Sequence, residues 1–244
     1  MSHEPRSDVK PYDVFIKGEI IDLVTPCERA IDVDGWHLWF NDPEVTRYSD
    51  YGLFPNTAET QREYLSDLLK PGSKRLALLI LPKRSERVVG IVSLSNINTI
   101  HRSGETAVII GERTSAEGAL FYGLEAKARI TELAFAIMGL DRVSGSQALP
   151  LADWQQYQLL FGFRPEGIKR RAHRRGYDVY DSVISSCTLE DYLAVKRARN
   201  GAYWPGREKL LELIRKLPKE SVVERVANAI DRAIEDYMKA VELN

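Results

Sequence analysis

The spacing of apolar residues divides the chain into short strands and helices. Residues 14–23 alternate in part around Gly18, which is typical of a strand pair. Residues 75–81 and 88–96 flank a polar turn and predict an antiparallel hairpin. Residues 107–110 form a short apolar run that suits a buried strand. Further strands are predicted at residues 141–146, 167–172 and 179–186.

Helices are predicted between these strands, where apolar residues lie three or four positions apart. Two starts carry capping signals, because Asp42 precedes Pro43 and because Asn56 and Thr57 precede a periodic run. The predicted helices cover residues 27–40, 58–69, 124–138, 154–161, 189–199, 208–217 and 220–243.

The last predicted helix carries a single apolar stripe between Val222 and Val241. Burying one such side chain contributes roughly 1.5–3 kcal/mol, so the stripe as a whole should leave water. We expect it to pack against the main domain. The alternative is a homodimer in which two copies pair through their C-terminal helices.

Composition narrows the class of protein. With 244 residues, 44% of them apolar and 28% charged, the chain is expected to form one large domain, alone or with an appendage. A net charge of −1 predicts no nucleic-acid partner, and no apolar run approaches the roughly 20 residues of a membrane helix. Cys27 and Cys187 are the only cysteines, and the first residues lack the apolar core of an export signal, so we expect a cytoplasmic protein. No cysteine–histidine spacing suggests a metal site.

Residues 104–138 combine a strand, a glycine-bearing loop and a helix. The strand ends at Gly111, the loop is predicted over residues 113–122, and Gly118 and Gly123 allow tight turns. Free backbone N–H groups at the start of a helix bind anions, and the helix dipole adds to their effect. The segment therefore predicts a diphosphate site, with an ordinary strand-to-helix turn as the alternative.

Several short segments, in order, resemble those of a known family. They are residues 41–45, 89–94, 104–111, 123–126, 134–135, 140–143, 161–167 and 176–181. Together they resemble the GNAT superfamily of acyl-CoA-dependent N-acyltransferases, and within it the branch of ribosomal-protein and amino-sugar N-acetyltransferases. The similarity spans about residues 13–193.

This resemblance implies an α/β (α+β) fold, with a mixed, mostly antiparallel central sheet flanked by helices and a C-terminal helical extension. It implies an acetyltransferase domain over residues 13–193, followed by the helical extension over 194–244. The polar first residues, with Pro5 and Pro11, predict a flexible N-terminus over residues 1–12. Acetyl-CoA would be the cosubstrate, with no metal. The expected cofactor-binding residues are Ile109, Ile110, Gly111, Gly118, Ala119, Leu120, Phe121, Tyr122, Gly123 and Leu124.

The chain departs from the family pattern at two places. The family loop usually reads Arg/Gln-x-x-Gly-x-Gly/Ala. Its three named positions fall here on Gly118, Phe121 and Gly123, so the basic or amide residue and the first glycine are missing. A tyrosine often found near the thioester sulfur is replaced by Gln158, with Tyr157 beside it.

Transfer of an acyl group to an amine needs a base, donors for the oxyanion and a proton for the leaving thiolate. Glu105 matches the family's glutamate, and we expect it to be partly buried and to act as the base. His101 is the rival base, because an imidazole titrates near neutral pH. The N–H of Ile110 is the candidate oxyanion donor, and Tyr157 the candidate acid.

The predicted function is N-acetyltransfer from acetyl-CoA to a primary amine of a small molecule, such as a nucleotide-linked amino sugar, in a ternary complex. Residues 169–175 form a basic cluster that is either a solvated face or a contact for phosphates. Two alternatives stay open. One is acetylation of protein N-termini, and the other is a GNAT-like fold that binds acyl-CoA or a partner without catalysis.

Overall fold

The protein is described from a computed structural model, which covers residues 11–70, 72–112 and 116–241. An eight-stranded sheet with the order β1-β2-β3-β4-β5-β6-β8-β7 forms its centre. The strands are β1 (Val14–Lys17), β2 (Ile21–Val24), β3 (Leu76–Pro82), β4 (Gly90–Asn98), β5 (Ser103–Ile110), β6 (Arg142–Ala148), β7 (Arg164–Arg175) and β8 (Asp178–Thr188). Neighbouring strands are antiparallel except β5 and β6, which are parallel. The predicted architecture is confirmed.

Helices cover the sheet and continue beyond it. They are α1 (Glu28–Asp32), α2 (Trp36–Trp39), α3 (Pro43–Thr46), α4 (Ala58–Leu68), α5 (Ala116–Ala136), α6 (Ala152–Leu159), α7 (Leu189–Ala198), α8 (Arg207–Arg215) and α9 (Val222–Ala240). Both predicted caps are present, since Asp42 accepts a bond from the Glu44 N–H and Thr57 forms a reciprocal capping box with Thr60. The single helix predicted over residues 27–40 is instead two short helices, interrupted at Gly35, whose φ is +69°.

Two apolar clusters lie on opposite faces of the sheet. One joins α5, α6, α7 and α8 to the sheet, and includes Phe121, Phe161 and Tyr203. The other lies beneath α1, α2 and α4 and includes Trp36 and Leu79. Alternate residues of a strand point to opposite faces, and each of the strands β1 to β5 contributes to both clusters.

The C-terminal helices differ in how much of their apolar surface packs on the domain. Tyr192, Trp204 and Leu210 are buried in the core cluster, so α7 and α8 pack on the domain. Helix α9 begins there too, with Val223 buried, but Ile234 and Tyr237 farther along are exposed. The expectation that the apolar stripe packs on its own domain therefore holds for the first part of the helix only.

The predicted flexible N-terminus, residues 1–12, falls mostly outside the described residues. Tyr12, which it included, is buried, and its hydroxyl donates to Asp34. Within residues 11–70, 72–112 and 116–241, no helix combines the length and the apolar character needed to cross a membrane.

Candidate functional site

A cleft of about 1090 Å³ opens where β5 and β6 separate. The two strands pair only from Ser103 to Glu105, opposite residues 142–144, and then diverge. The cleft continues between the ends of both strands and reaches residues 44–51, which include part of α3 and the segment after it. It also reaches Lys169 and His173 on β7. A gap between two parallel strands exposes backbone groups that a continuous ladder would have paired.

The backbone of β5 directs polar groups into this gap. The Thr106 carbonyl oxygen faces β6, at 3.1 Å from the point that a Cβ on Gly145 would occupy. The Ile109 carbonyl lies on the other side, against β4. The backbone polar groups of successive residues point to opposite sides of a strand, so the N–H groups of Val108 and Ile110 also point into the gap. Among the described residues, neither is paired with a residue of β6. The two strands are thus separated near Ile110, as a role of its N–H as an oxyanion donor requires.

Glu105 lies at the point where the strands separate and lines the cleft. Its Oε2 accepts a bond of 3.1 Å from the Asn96 side-chain amide. A bulge in β4 places Asn96 in the left-handed region, with a φ of +50°, and brings this amide beside the carboxylate. The expectation that Glu105 is partly buried is wrong: the residue is exposed, because β5 has reached the open face of the sheet there.

The other two catalytic candidates lie away from the cleft lining. His101 is exposed in the turn between β4 and β5, where its backbone N–H donates to Asn98. Tyr157 packs half-buried against the core cluster, and burial raises the pKa of its hydroxyl. Of the described residues of α6 and the turn before it, those that line the cleft are Leu151 and Trp154.

The start of α5 differs from the prediction. The helix begins at Ala116, eight residues before the predicted start, so the loop is shorter and residues 113–115 lie outside the described part. Only the first N–H groups of a helix lack partners within it. Phe121, Tyr122, Gly123 and Leu124, four of the predicted cofactor contacts, therefore lie beyond the helix start that could offer free donors, and Phe121 and Leu124 are buried in the core.

The remaining cofactor candidates divide into those that meet the cleft and those that do not. Ile109, Ile110 and Ala119 line it. Gly118 lies in the first turn of α5, and Leu120 packs against the core cluster. Gly111 is covered by Trp39, whose ring would lie 2.1 Å from a Cβ at that position. These residues stay predictions as cofactor contacts.

One face of α5 lies along the cleft. Ala119 lines it, Gly123 lies next to Val108 and Trp154, and Lys127 lines its inner end. These α5 residues are four apart and so lie on one helical face. Sequence analysis did not single out Lys127. The available signal was a lysine spaced four residues from Gly123 inside a largely apolar helix.

The Lys127 side chain is buried against the Phe163 ring. It is only 1% exposed, and its Nζ lies 4.1 Å from the centre of the Phe163 ring. Burial lowers the pKa of Lys127 to about 7, because desolvation penalises the ammonium form. Among the described residues, none accepts a hydrogen bond from this amine.

Stability should therefore depend on pH through Lys127. In the unfolded chain a lysine titrates near pH 10.4, so between about pH 7 and pH 10 the unfolded state binds more protons than the folded one. The free energy of unfolding should then rise with pH, by up to about 1.4 kcal/mol per pH unit, and should gain nothing from this group below pH 7. Urea unfolding measured across this range should lose the rise in Lys127→Met and keep it in Lys209→Met, whose side chain is exposed. Equal slopes in both variants would contradict the assignment.

The outer part of the cleft carries both signs of charge. Glu44, Asp50, Arg47 and Lys169 line it, and His173 is buried with its Nε2 3.1 Å from the Arg47 carbonyl oxygen.

The basic cluster of residues 169–175 does not act as one unit. Arg175 bonds to the backbone carbonyls of Tyr51 and Gly52 and to the Thr46 hydroxyl, and so fixes the loop between α3 and α4. In the part of the chain that the structure describes, no group of three or more histidine, cysteine, aspartate or glutamate residues could hold a metal ion.

Comparison with known proteins agrees with this architecture. Residues 23–148 match the family model described as "Acetyltransferase (GNAT) domain". No curated protein sequence matches the chain significantly.

Three solved structures are similar in fold. A GCN5-related N-acetyltransferase from Brucella melitensis is 19% identical, with a TM-score of 0.62 over 85% of this chain and 96% of that one. A chimera of spermidine N-acetyltransferase SpeG from Vibrio cholerae and hSSAT is 16% identical, with a TM-score of 0.61 over 72% and 99%. The microcin C7 self-immunity acetyltransferase MccE, in complex with acetyl-CoA and AMP, is 19% identical, with a TM-score of 0.59 over 74% and 99%. At these identities the likeness shows the fold alone.

The family model covers the second strand, the helices before the β3–β4 hairpin, the strand β5, helix α5 and the strand β6. It therefore includes both strands that separate at the cleft and the helix beneath them. Members of this family are acyl-CoA-dependent N-acetyltransferases. The chain belongs to the GNAT acetyltransferase family.

Proposed function

We propose that this protein transfers an acetyl group from acetyl-CoA to a primary amine of a small molecule, by direct attack in a ternary complex. The observation that carries the proposal is the open gap between β5 and β6, into which Val108 and Ile110 direct backbone N–H groups. Such donors suit the amide groups of a pantetheine arm and the oxygen of a thioester. The distance along α5 from Ala116 to Lys127 is about 16 Å at 1.5 Å per residue, which suits an extended arm reaching from the helix start to the inner end of the cleft.

Glu105 is the proposed base. It stands at the inner end of the gap, and the Asn96 amide holds one of its carboxylate oxygens. The other oxygen can take a proton from an amine that approaches from the side of residues 44–51. The Val108 N–H, with the Ile110 N–H as the alternative, is the proposed donor for the oxyanion, since neither faces a strand partner there. Holding both reactants in one cleft lowers the entropic cost of their encounter.

The acceptor is proposed to carry both an amine and an anionic group. Glu44 and Asp50 offer carboxylates for an ammonium group, whereas Arg47 and Lys169 offer cations for a phosphate. A nucleotide-linked amino sugar has both groups. The presence of AMP beside acetyl-CoA in the structure of MccE supports a nucleotide-bearing acceptor, and the spermidine enzyme supports a small amine.

Acetyl-CoA alone should stabilise the protein. A ligand at 100 times its dissociation constant raises the free energy of unfolding by about 2.7 kcal/mol, which a thermal melt readily detects. Thiol release should then appear with one member of a panel of amino-sugar nucleotides, polyamines and peptides. A response to peptides alone would favour N-terminal acetylation of proteins. No stabilisation at saturating acetyl-CoA would contradict the proposal and favour a fold that binds a partner without catalysis.

The domain division and the homodimer stay proposals. We propose that residues 13–193 form the acetyltransferase domain and that residues 194–244 extend it. The burial of Tyr203 and Leu210 in the core cluster supports an extension that is fixed to the domain. The exposed Ile234 and Tyr237 of α9 support pairing with a second copy.

A further inference from the structure

Lys127 lies at the inner end of the cleft and has no role in the reaction as proposed above. A Cβ on Gly145 would lie 3.9 Å from Lys127 Nζ, 3.0 Å from Gln147 Nε2 and 3.1 Å from the Thr106 carbonyl oxygen. These three groups therefore surround the space beside Gly145, one residue beyond the last pair of β5 and β6. A Cβ at Gly145 would crowd the Gln147 and Thr106 groups, so glycine allows these groups to approach each other here, and Gly145 and Lys127 both line the cleft. The amine thus lies at the point where the two strands begin to separate.

Lys127 and Glu105 lie on opposite faces of the sheet. Along β5, Val108 and Ile110 pack against the cluster that contains α5, whereas Ile109 packs against the cluster on the other face. By alternation, Glu105 points to the face of Ile109, and Lys127 approaches from the face of α5. A thioester held in the gap would have the carboxylate on one side and the lysine amine on the other.

We propose that Lys127 is a catalytic acid, whose ammonium group protonates the sulfur of coenzyme A as it leaves. This inference rests on the proposed function. The amine nitrogen of the acceptor forms a bond to the thioester carbonyl carbon, and Glu105 takes one proton from that nitrogen. The carbonyl–sulfur bond then breaks, its electron pair stays on sulfur, and the sulfur receives a proton from Lys127. Lys127 ends neutral and Glu105 ends protonated, so exchange with solvent restores both.

The acidity of Lys127 suits this step. Its pKa of about 7 leaves the ammonium form well populated at neutral pH. A free thiol titrates near pH 8.5, by the value for cysteine, so transfer from this ammonium to a thiolate is downhill. An ordinary lysine, near pH 10.4, would hold its proton too tightly.

The charged and titratable groups around Lys127 come from three strands. Cys187 on β8 acts on it electrostatically, and burial raises the pKa of this thiol to about 12, so it is neutral throughout the working range. Glu105 on β5 and Lys169 and His173 on β7 share the cleft. Of these, Glu105 is the proposed base on the opposite face of the sheet, and Lys127 is expected to provide the alkaline limb of the activity profile.

Four proteins test the assignment: the wild type, Lys127→Met, Lys127→Arg and Thr131→Val. Thr131 lies one turn farther along the same face of α5 and is also buried, so its variant controls for disturbance of this face. We expect Lys127→Met to lower kcat with acetyl-CoA by about 10²-fold or more, to lose the alkaline limb and to keep donor binding. Lys127→Arg should be equally slow, because a guanidinium keeps the charge but does not give up its proton. Thr131→Val should match the wild type.

The leaving group gives a readout that a purely structural role would not change. With acetyl-seleno-CoA the departing selenolate is a weaker base than a thiolate and needs no proton, so Lys127→Met should recover to within about tenfold of the wild type. An equal defect with both donors, or an active Lys127→Arg, would overturn proton donation by Lys127. A wild type that neither binds acetyl-CoA nor releases thiol would instead overturn the proposed function. If Lys127→Met fails to fold, the comparison of wild type and Lys127→Arg with the two donors decides.

Discussion

Replacement of Glu105 by glutamine should lower turnover by about 10²–10⁴-fold, the range that general-base assistance contributes. The substitution keeps the size of the side chain and leaves an oxygen to accept the Asn96 amide bond of 3.1 Å. It removes only the ability to take a proton from the acceptor amine. Because Glu105 lies at the inner end of the cleft and not at the start of α5, the binding of acetyl-CoA should be unchanged.

The measurement is single-turnover thiol release at saturating donor and acceptor, with donor binding followed separately by thermal shift. His101→Gln is the matched control, because His101 was the rival base and is exposed in the neighbouring turn. Its turnover should stay close to that of the wild type. An active Glu105→Gln together with a slow His101→Gln would transfer the role to the histidine. Slow turnover that is explained by lost donor binding would remove Glu105 from the chemistry.

Replacement of Glu125 by alanine should lower the free energy of unfolding by about 3–5 kcal/mol. Glu125 is fully buried on α5, and its carboxylate accepts bonds from the backbone N–H groups of Glu19, Ile20 and Ile21 at 2.6, 2.8 and 3.2 Å. Arg129 Nη2 donates to it at 2.9 Å. Alanine would leave the N–H groups of the β1–β2 turn and the guanidinium without this acceptor, and a buried donor without a partner is costly.

Urea unfolding of this variant should be compared with that of Glu132→Ala. Glu132 also faces Arg129, at 3.9 Å, and Lys196, at 3.4 Å, but about a third of its side chain is exposed. Pairs of this kind contribute no more than about 1 kcal/mol, so the control should be nearly as stable as the wild type. Similar losses in both variants would show that the bonds to the β1–β2 turn contribute little.

The sequence predicted those elements whose signals are local. Asp42 before Pro43, and Thr57 three residues before Thr60, cap helices through atoms that belong to the same few residues. The hairpins were predicted for the same reason, since a polar turn between two apolar runs fixes which strands pair. Resemblance to the family supplied the mixed, mostly antiparallel sheet flanked by helices.

The start of α5 depends on tertiary contacts and could not be predicted in the same way. Gly118 and Gly123 indicated a loop, because glycine lowers helix propensity by about 1 kcal/mol. In the structure Gly123 lies within the helix, where the Trp154 ring is 3.4 Å from the position of a Cβ. Close packing between α5 and α6 and the burial of Phe121 outweigh that cost.

The sequence predicted only part of the site, because the rest depends on contacts between distant parts of the chain. Glu105 stands beside the gap because β5 carries it there, but its exposure depends on where the neighbouring strand departs. Lys127 could not be distinguished from a surface lysine, since its burial depends on Phe163, which is distant in the sequence.

The meeting of β5 and β6 has a mechanical consequence. Three residue pairs join them, against seven between β4 and β5 and seven between β6 and β8. The sheet thus consists of two halves that are joined by few backbone pairs, and α5 packs across this junction on one face of the sheet. An acyl donor bound at this junction would connect the two halves of the sheet as well as react. Its departure would leave only the three residue pairs between the halves, which favours retention of the bound carrier.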